Sequence, residues 1–455
     1  MTRALTAHAG EQIVGVALQV ATVPMYLHYW DSATYGAWLM IWTIPVHLMQ
    51  FDASFGFVSI NDMTMQAGMS DREAMVRVYH TAWVGGTLFN LLLLVLTALV
   101  IVMVGPLLTT LLRPLEPQEA ITALILMCVL VLVIQQQLGL ACGALRTTGN
   151  YPLSVFLGSV VRVLEFAAVM IALACSGGVV AVVAAHIAAR TVAMIAAVAA
   201  VRRLTPWLFP GFVAHGLRHF DSRELRRLLR PAASYLLWPI GQALNGEGFV
   251  LVAGMVCGPA AVPVFTTART LARLSLQMTM VVRSSLLPEM SLAHGAGQLE
   301  TVRMLHGCGC RAAWWTGVAA TIITAALGPV IHPLWTCGQL GLDTTAFALL
   351  LGSTLLHVVW STASGVLFAA NYHQRTAVAF FLASMIGLAV ATAIAGAIGV
   401  TGVALGMLVV DIIVLAVVLP QSLAFCGLGA SSFMRALLRP PWFSLQFKRN
   451  GGVDV

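Results

Sequence analysis

Apolar runs of about twenty residues or more recur along the chain. As an α-helix, a run of this length crosses the roughly 30 Å of hydrocarbon in a bilayer. Of the 455 residues, 59% are hydrophobic and 9% are charged, and the mean hydropathy is +0.91. Soluble domains carry about 25% charged residues, so a soluble protein of this length would lack the charges to cover its surface. The sequence therefore predicts an all-α polytopic membrane protein.

The pattern predicts about twelve spans, which the longest hydrophilic stretch divides six and six. They are expected at approximately 9–28, 36–58, 78–104, 119–142, 150–173, 178–201, 231–255, 262–288, 308–332, 345–368, 376–396 and 399–424. The first run begins with Glu11-Gln12 and has no A-x-A-like cleavage site, so we expect a retained helix. The predicted organisation is a six-helix lobe at 1–201, a connector at 202–230, a second six-helix lobe at 231–425 and a cytoplasmic tail at 426–455.

Basic residues are distributed unequally between the two sides of this arrangement. With both termini cytoplasmic, the inner loops and tails hold eighteen of the 24 Lys and Arg residues, whereas the outer loops hold Arg113 alone. This asymmetry follows the positive-inside rule. It also accounts for the net charge of +7 without a nucleic-acid partner.

The connector contains the segment GLRHFDSRELRRLLR at 216–230. Its leucines, Leu217, Leu225 and Leu228 among them, fall on one side of a helix and its arginines elsewhere. Such an amphipathic helix is expected at the cytoplasmic lipid surface, where it links the two lobes. An ordinary basic cytoplasmic loop fits the same residues and leaves the topology unchanged.

Four arginines, Arg162, Arg190, Arg269 and Arg273, lie near the middle of predicted spans. A charged side chain at the bilayer centre costs about 2.5–3.5 kcal/mol on insertion scales, so it usually faces protein or a water-filled cavity. Arg269 and Arg273 are four residues apart on one helix face, with Gln277 one turn further along. Because the central cations outnumber the central anions, we expect a cavity that receives a negatively charged substrate.

Each of these arginines also has a structural interpretation. Arg162 and Glu165 are three apart on one helix and would neutralise each other, while Arg190 would pair with Asp411 across a helix contact. Arg269 and Arg273 have no acidic neighbour in their own span. For these two the structural alternative is packing against backbone carbonyls.

Four carboxylates are candidates for coupling or gating. Glu165 and Asp411 are central in their spans, Asp52 lies near a cytoplasmic end and Glu247 toward the outer side. A partly buried carboxylate binds a proton or a sodium ion when its pKa is shifted into the working range. Membrane potential acting directly on a charged substrate is the alternative energy source. Asp52 either orients a cytoplasmic gate or marks a helix end near water.

Several chemistries are excluded or disfavoured. Lys448, in the tail, is the only lysine, so the chain has no Walker A lysine and no buried Schiff-base lysine. Its twelve histidines include no H-E-x-x-H, and the eight cysteines are scattered apart from Cys308-Gly-Cys310, which we interpret as packing residues. We therefore expect no catalytic residues and no metal site. His186 and His357, inside spans, are expected to form hydrogen bonds with neighbouring helices.

The two halves show weak internal similarity. GALRTTGNY at 143–151 and GVLFAANYH at 365–373 each join the fourth and fifth span of their half. Six spans per half is an even number, so the repeats would share one orientation, with a pseudo-symmetry axis along the membrane normal. This is a transporter architecture.

The segment VPMYLHYWDSATYGAWLMIWTIPVHLMQFDASFG at 23–56 resembles the opening of polysaccharide flippases. The matching positions are Pro24, Tyr35, Gly36, Asp52 and Gly56, and the Asp-x-Gly-like element departs from the pattern where serine follows Asp52-Ala53. The GNY at 149–151, the six spans on each side and the basic connector also fit. The chain thus resembles the O-antigen flippase-like branch of the multidrug/oligosaccharidyl-lipid/polysaccharide (MOP) exporter superfamily, which includes the MATE transporters.

This resemblance implies a V-shaped, two-lobed transporter in a bacterial inner membrane rather than an enzyme. Its implied substrate is a polyprenyl-pyrophosphate-linked oligosaccharide, carried from the cytoplasmic to the outer leaflet by alternating access. Membrane lipids and other glycan-assembly proteins are the implied partners. The arginines within the spans independently favour a substrate that carries phosphate, since a guanidinium stays charged and binds phosphate bidentately. Gln135, Gln136 and Gln137 would then either select the sugar or form helix–helix hydrogen bonds.

Three other functions remain open. A cation-coupled multidrug antiporter of the same fold is expected to carry surplus carboxylates and aromatic walls in its site. A glycan polymerase or ligase needs a substantial outer domain, whereas the longest outer connections, near 105–118 and 333–344, are short. A non-transporting scaffold in a glycan-assembly complex is the third.

Bends are expected in several spans. Pro24, Pro45 and Pro239 lie within apolar runs, and Asn245-Gly246-Glu247-Gly248 places two glycines around an ionisable residue. Such positions bend or break a membrane helix where neighbours satisfy the freed backbone groups. We therefore predict that the seventh span is discontinuous near Asn245.

Overall fold

The computed structural model of the chain describes residues 15, 17–18, 20–68, 71–208, 219–295, 297–370, 372 and 374–439. Glu11-Gln12, Leu217, Lys448 and the end of the predicted tail lie outside these residues. Every regular element in the described part of the chain is a helix, so the all-α prediction is confirmed.

The described chain packs as two compact units, and the first runs to Ala243 and includes 258–262 and 335–339. Its helices are α1 (20–29), α2 (Ser32–Gly68), α3 (Arg72–Met103), α4 (Gly105–Leu111), α5 (Pro117–Val129), α6 (Gln135–Thr147), α7 (Tyr151–Ala174), α8 (Val179–Leu204), α9 (Ser222–Tyr235) and α10 (Leu237–Ala243). A π-helical turn, Leu130–Ile134, joins α5 to α6.

The second unit holds the remainder of the described chain. It begins with a π-helical turn at Leu244–Gly248 and continues with α11 (Phe249–Cys257), most of α12 (Ala261–Gly295), α13 (Leu299–Trp335), α14 (Thr344–Ala363), α15 (Gly365–Ala369), α16 (Gln374–Ile398), α17 (Val400–Cys426) and α18 (Ala430–Leu438). The lobe boundaries expected from the sequence stay predictions.

Nine helical segments among the described residues are long and apolar enough to cross a membrane. They are Arg72–Met103, Pro117–Thr147, Pro152–Ala174, Val179–Leu204, Leu237–Cys257, Leu299–Trp335, Thr344–Ala369, Gln374–Ile398 and Val400–Cys426. The chain is therefore a multi-pass membrane protein. The second and eighth predicted spans are also helical, as α2 and α12, but their polar residues lower their hydropathy. The count of twelve stays a prediction.

The seventh span corrects one expectation. Residues Leu237–Cys257 stay helical throughout, so the predicted break near Asn245 is wrong. The irregularity does occur at the predicted residues, as the π-helical turn Leu244–Gly248. A π-helical turn inserts an extra residue while the path of the helix continues. The helix therefore changes shape without leaving a run of backbone groups unsatisfied in lipid.

Small residues bring α16 and α17 into close contact. A Cβ atom added to Gly387 would lie 2.6 Å from the carbonyl oxygen of Gly406, and one added to Gly406 would lie 2.5 Å from that of Gly387. Gly399, with φ of +60°, makes the tight connection between the two helices. Glycines at such contacts let two membrane helices approach closely, where van der Waals packing holds them.

The described part of the connector forms α9, which packs on α2 and α3. The Asp221 carboxylate accepts a hydrogen bond from the Arg223 amide at 2.8 Å at the start of this helix. Leu228 is buried, and Leu225 lies against Gly85 of α3. The amphipathic helix predicted from the sequence is therefore present over these residues, with Leu225 and Leu228 on the protein and Leu229 exposed.

Candidate functional site

The π-helical turn of the second unit lies against the two arginines of α12. The Arg269 guanidinium donates a hydrogen bond to the carbonyl oxygen of Gly246. Nη2 of Arg273 donates to Oδ1 of Asn245 at 3.4 Å. The two guanidiniums are thus held by consecutive residues of one turn, which places two positive charges side by side.

The groups in direct contact with these guanidiniums are neutral or aromatic, whereas Glu247 acts electrostatically on both of them, and Asp411 on Arg273, without forming an ion pair. Cζ of Arg269 lies 5.2 Å from the centre of the buried Phe265 ring, in a cation–π contact. Among the described residues, neither Arg269 nor Arg273 forms an ion pair with a carboxylate within 4.0 Å. The structural alternative of packing against backbone carbonyls therefore holds in part, for Arg269.

Two other predicted site residues lie on the same two elements, Glu247 on the π-helical turn and Gln277 on α12. Glu247 lies in the π-helical turn and is half-buried. Gln277, one helical turn beyond Arg273, is also half-buried, and within the described residues it forms no hydrogen bond. Each guanidinium carries five N–H donors. Arg269 and Arg273 therefore offer many more hydrogen-bond donors than there are acceptor atoms in contact with them.

Asp411 on α17 is enclosed by donors from α14. It is 2% exposed and accepts hydrogen bonds from the Ser353 hydroxyl, from Nε1 of Trp360 at 2.9 Å and from Nδ1 of His357 at 3.0 Å. Donors of this kind stabilise a buried carboxylate. The partners of Asp411 thus lie within its own unit, and His357 forms the interhelical hydrogen bond expected from the sequence.

The first unit contains a second polar group inside its helix bundle. Glu165 of α7 forms an ion pair with Arg190 of α8, and Nδ1 of His186 lies 3.5 Å from the same carboxylate. Nη1 of Arg190 donates to Oε1 of Gln135 at 3.0 Å, and its Cζ lies 6.0 Å from the centre of the Trp42 ring. Glu165 is therefore the counter-ion of Arg190 and is already engaged.

Arg162 is exposed, unlike Arg190. Together with Glu165 and His186 it lines a cavity of about 200 Å³ in the first unit. Most of the other lining side chains are apolar and come from α1 and α7, for example Met25 and Phe166. The cavity thus combines a charged end with apolar walls.

The three consecutive glutamines have different contacts. Oε1 of Gln137 accepts a hydrogen bond from Nε1 of Trp83 at 2.5 Å, and its Nε2 donates to Thr87 at 2.9 Å. Gln136 is buried beside it, and its Oε1 accepts a hydrogen bond from the Thr87 hydroxyl at 3.5 Å. Both therefore act as helix–helix hydrogen-bonding residues between α6 and α3. Asp52 lies within α2, and its side chain falls outside the described part of the structure.

A cluster of charges at the connector did not emerge from the sequence. Arg227 of α9 pairs with both Glu224 and Asp62, and Asp62 is buried at the end of α2. Hydrogen bonds to Glu224 and then Asp62 raise the pKa of Arg227 further above its usual range. Several arginines lie on this helix, so their spacing alone does not show which of them forms an ion pair with a buried carboxylate.

An aromatic cluster of the first unit was also missed. The Tyr26 ring stacks on Tyr35 at 5.2 Å and on Trp38 at 6.0 Å, and Trp38 in turn stacks on His186 at 5.8 Å. Apart from His186, these rings belong to the segment 23–56, which is rich in aromatic residues. That richness is the only sequence feature that points to the cluster. They fix the position of His186 next to Glu165.

Side chains of the types that bind metal ions occur throughout the described residues. No group of three or more His, Cys, Asp and Glu side chains there is placed to hold a metal ion. Cys308 is exposed and Cys310 is buried. The distance from Sγ of Cys310 to Nδ1 of His306 is 3.9 Å.

Comparisons with known proteins identify the fold. No family model matches the chain, and no curated protein sequence matches it. Among solved structures, an inward-facing multidrug resistance MATE family transporter of the MOP superfamily matches with a TM-score of 0.66 and 15% identity, over 91% of this chain and 98% of that one. A MATE protein in complex with MaD3S gives a TM-score of 0.62 and 15% identity, over 94% of each chain.

A third structure of the same superfamily differs in its site. It is a MOP superfamily transporter from Pyrococcus furiosus, for which a reversed polarity of the binding pocket suggests a different function. It matches with a TM-score of 0.66 and 14% identity, over 94% of this chain and 95% of that one. From these matches we conclude that the chain has the fold of MATE transporters of the MOP superfamily.

Proposed function

We propose that the protein translocates a polyprenyl-pyrophosphate-linked oligosaccharide from the cytoplasmic to the outer leaflet of a bacterial inner membrane. Alternating access, a mechanism compatible with the fold, would carry the hydrophilic part of the substrate across. The observation that carries the proposal is the pair Arg269 and Arg273, whose guanidiniums donate to neutral oxygens and form no ion pair with a carboxylate within 4.0 Å among the described residues.

The chemistry of this pair favours an anionic substrate. A guanidinium remains charged inside a membrane and offers a planar set of donors that matches phosphate oxygens. Two such groups on one helix face repel each other, and a dianion placed between them relieves that repulsion. A pyrophosphate, or the carboxylate of an acidic sugar, supplies the directly contacting negative charge that Glu247 and Asp411, which act on the pair from a distance, do not.

The carboxylates of the two units support the same reading. Glu165 already neutralises Arg190, and Asp411 accepts hydrogen bonds from three side chains. A site for cationic drugs requires carboxylates that are available to the drug. Glu165 and Asp411 are both committed to partners within their own units, so they serve better as positioning or proton-binding groups.

The remaining parts of the proposal rest on the sequence. The distribution of basic residues predicts that both termini are cytoplasmic, and the proposed substrate implies the inner membrane. A proton or sodium ion bound at Asp411, Glu247 or Asp52 would couple transport to an ion gradient. Membrane potential acting on the charged substrate is the alternative. Lipid-linked oligosaccharide, membrane lipids and glycan-assembly proteins are the proposed partners.

A cation-coupled multidrug antiporter is the second candidate. It is favoured by one observation, the match to a multidrug resistance MATE family transporter over nearly the whole chain. The reversed pocket polarity described for the Pyrococcus furiosus transporter shows that one fold in this superfamily accommodates more than one pocket charge. Charge in the site, rather than the fold, therefore decides between the two candidates.

The test is a surface-glycan assay in source cells that lack this gene and have no redundant flippase. The cells are complemented with wild type, with Arg269→Ala/Arg273→Ala, or with the matched control Arg435→Ala/Arg439→Ala. The control removes the same two charges from exposed positions of α18 and its end. Lipid-linked precursors and protein abundance in the membrane are quantified in parallel.

We expect wild type and the control to restore the glycan, while the site variant accumulates precursor at normal abundance. Unchanged glycan in the deletion strain would reject the flippase. If that strain became sensitive to cationic drugs instead, and the site variant restored resistance, the antiporter would be the better account.

A further inference from the structure

Asn245 has a buried amide group whose donors lack an acceptor. The residue is 3% exposed, and its Oδ1 accepts the hydrogen bond from Arg273. A guanidinium only donates hydrogen bonds, so the amide oxygen must face Arg273 and the amide nitrogen must point elsewhere. Among the described residues, Nδ2 of Asn245 has no hydrogen-bond partner.

Orphaned buried donors of this kind are uncommon in folded proteins and call for an explanation. Here the amide occurs in the π-helical turn Leu244–Gly248, and its neighbour Gly246 accepts the hydrogen bond from Arg269. π-Helical turns inside α-helices are often found at functional sites. The turn therefore presents an unused donor next to two guanidiniums with unused donors of their own.

The group formed by Asn245, Arg269 and Arg273 is nearly all donor. The acceptors that contact it, the Gly246 carbonyl and the Asn245 amide oxygen, are already occupied. A ligand that completes such a group must offer several acceptor oxygens and negative charge. A phosphate group does so, because its oxygens point in different directions and accept charge-assisted hydrogen bonds.

We propose that Asn245 is a substrate-binding residue that donates its amide hydrogens to a phosphate oxygen held by Arg269 and Arg273. The inference rests on the proposed function and names the group within the substrate that this site recognises. Asn245 supplies a neutral donor from the π-helical turn itself, beside the charged donors of the two guanidiniums. It also holds the Arg273 guanidinium in place through its oxygen.

The experiment measures binding of inorganic pyrophosphate to the purified full-length protein in detergent by isothermal titration calorimetry, with thermal stability recorded on each sample. Asn245→Ala removes the donor. Asn245→Asp keeps the shape but replaces the donor with a carboxylate oxygen, which neutralises the guanidiniums from within. The matched control is Asn90→Asp, a change at another buried asparagine, on α3 in the other unit.

We expect Asn245→Ala to weaken pyrophosphate binding about 10- to 100-fold, the loss typical of one hydrogen bond to a charged group. Asn245→Asp is expected to abolish binding while raising the melting temperature, a combination that misfolding does not produce. Asn90→Asp is expected to bind pyrophosphate as wild type does.

Three results would overturn the inference. In the first, both Asn245 variants bind like wild type while Arg269→Ala/Arg273→Ala does not, which leaves the proposed function standing. In the second, wild type binds glucuronate but not pyrophosphate, so the site recognises an acidic sugar. In the third, wild type binds neither anion; the glycan assay then decides separately whether the flippase proposal also fails.

Discussion

The ion pair of the first unit allows a quantitative test of how its helices are held. Removing Glu165 by substitution to leucine leaves Arg190 inside the helix bundle without its counter-ion. The two side chains are 11% and 15% exposed respectively, so solvent replaces little of the lost interaction. Breaking a buried pair by removing one partner typically costs about 3–5 kcal/mol.

The expected cost lies at the lower end of that range. Arg190 keeps its hydrogen bond to Gln135 and its contact with the Trp42 ring. We therefore expect Glu165→Leu to lower the free energy of unfolding by about 3 kcal/mol. Arg190→Met is expected to cost a similar amount, because it leaves a buried carboxylate beside His186. The double variant is expected to lie within about 1 kcal/mol of wild type, since apolar replacement of a whole buried pair is often neutral.

The assay is equilibrium unfolding in mixed micelles of dodecyl maltoside and dodecyl sulfate, followed by tryptophan fluorescence. Trp38 and Trp42 contact His186 and report on this region. Glu73→Ala is the control, because its pair with Arg77 is 3.8 Å long and largely exposed, and it is expected to cost less than about 1 kcal/mol. Two single variants each as stable as wild type, or costs that simply add in the double variant, would refute the reasoning.

Three further predictions concern packing and charge. Asp411→Ala leaves three hydrogen-bond donors without an acceptor and is expected to lower the free energy of unfolding by about 2–5 kcal/mol. The measurement is the melting temperature, and an unchanged melting temperature would contradict the prediction. In Gly406→Val the new Cβ atom would lie 2.5 Å from the carbonyl oxygen of Gly387, so we expect the free energy of unfolding to fall by about 3 kcal/mol. In the control Gly396→Ala the nearest atom to the new Cβ lies at 3.9 Å, and we expect a melting temperature close to that of wild type. Arg227→Met deprives buried Asp62 of its cation and is expected to speed hydrogen exchange in α9, with a cost of about 1–2 kcal/mol because Arg227 is half exposed; unchanged exchange would contradict it.

The fold follows from the sequence because lipid restricts the choices of the backbone. A run of apolar residues in a membrane has to satisfy its hydrogen bonds internally, and that requirement makes the runs helices. The ends are less determined, since α2 continues to Gly68 and α12 to Gly295, beyond the apolar runs at 36–58 and 262–288. Polar residues extend these helices, so hydropathy alone underestimates them.

The site is only partly readable from the sequence. The spacing of Arg162 and Glu165 suggests an ion pair within one helix, yet Glu165 forms its ion pair with Arg190 of the next helix. Packing between helices sets how each helix is rotated and which side chains face each other. Two glycines around Glu247 correctly mark an irregular turn, but its π-helical form and the position of the Asn245 amide depend on the contacts with α12. Side-chain partners between helices are not encoded in the spacing within one helix.

The activity proposed for this protein is the movement of a lipid-linked oligosaccharide to the outer leaflet. Its most direct test is the leaflet location of that precursor in spheroplasts, measured by access of an added glycan-modifying enzyme from outside. We expect the precursor to be accessible in cells with the wild-type protein, and protected in the deletion strain and in cells with Arg269→Ala/Arg273→Ala. Equal accessibility with and without the protein, in cells with no other flippase, would contradict it.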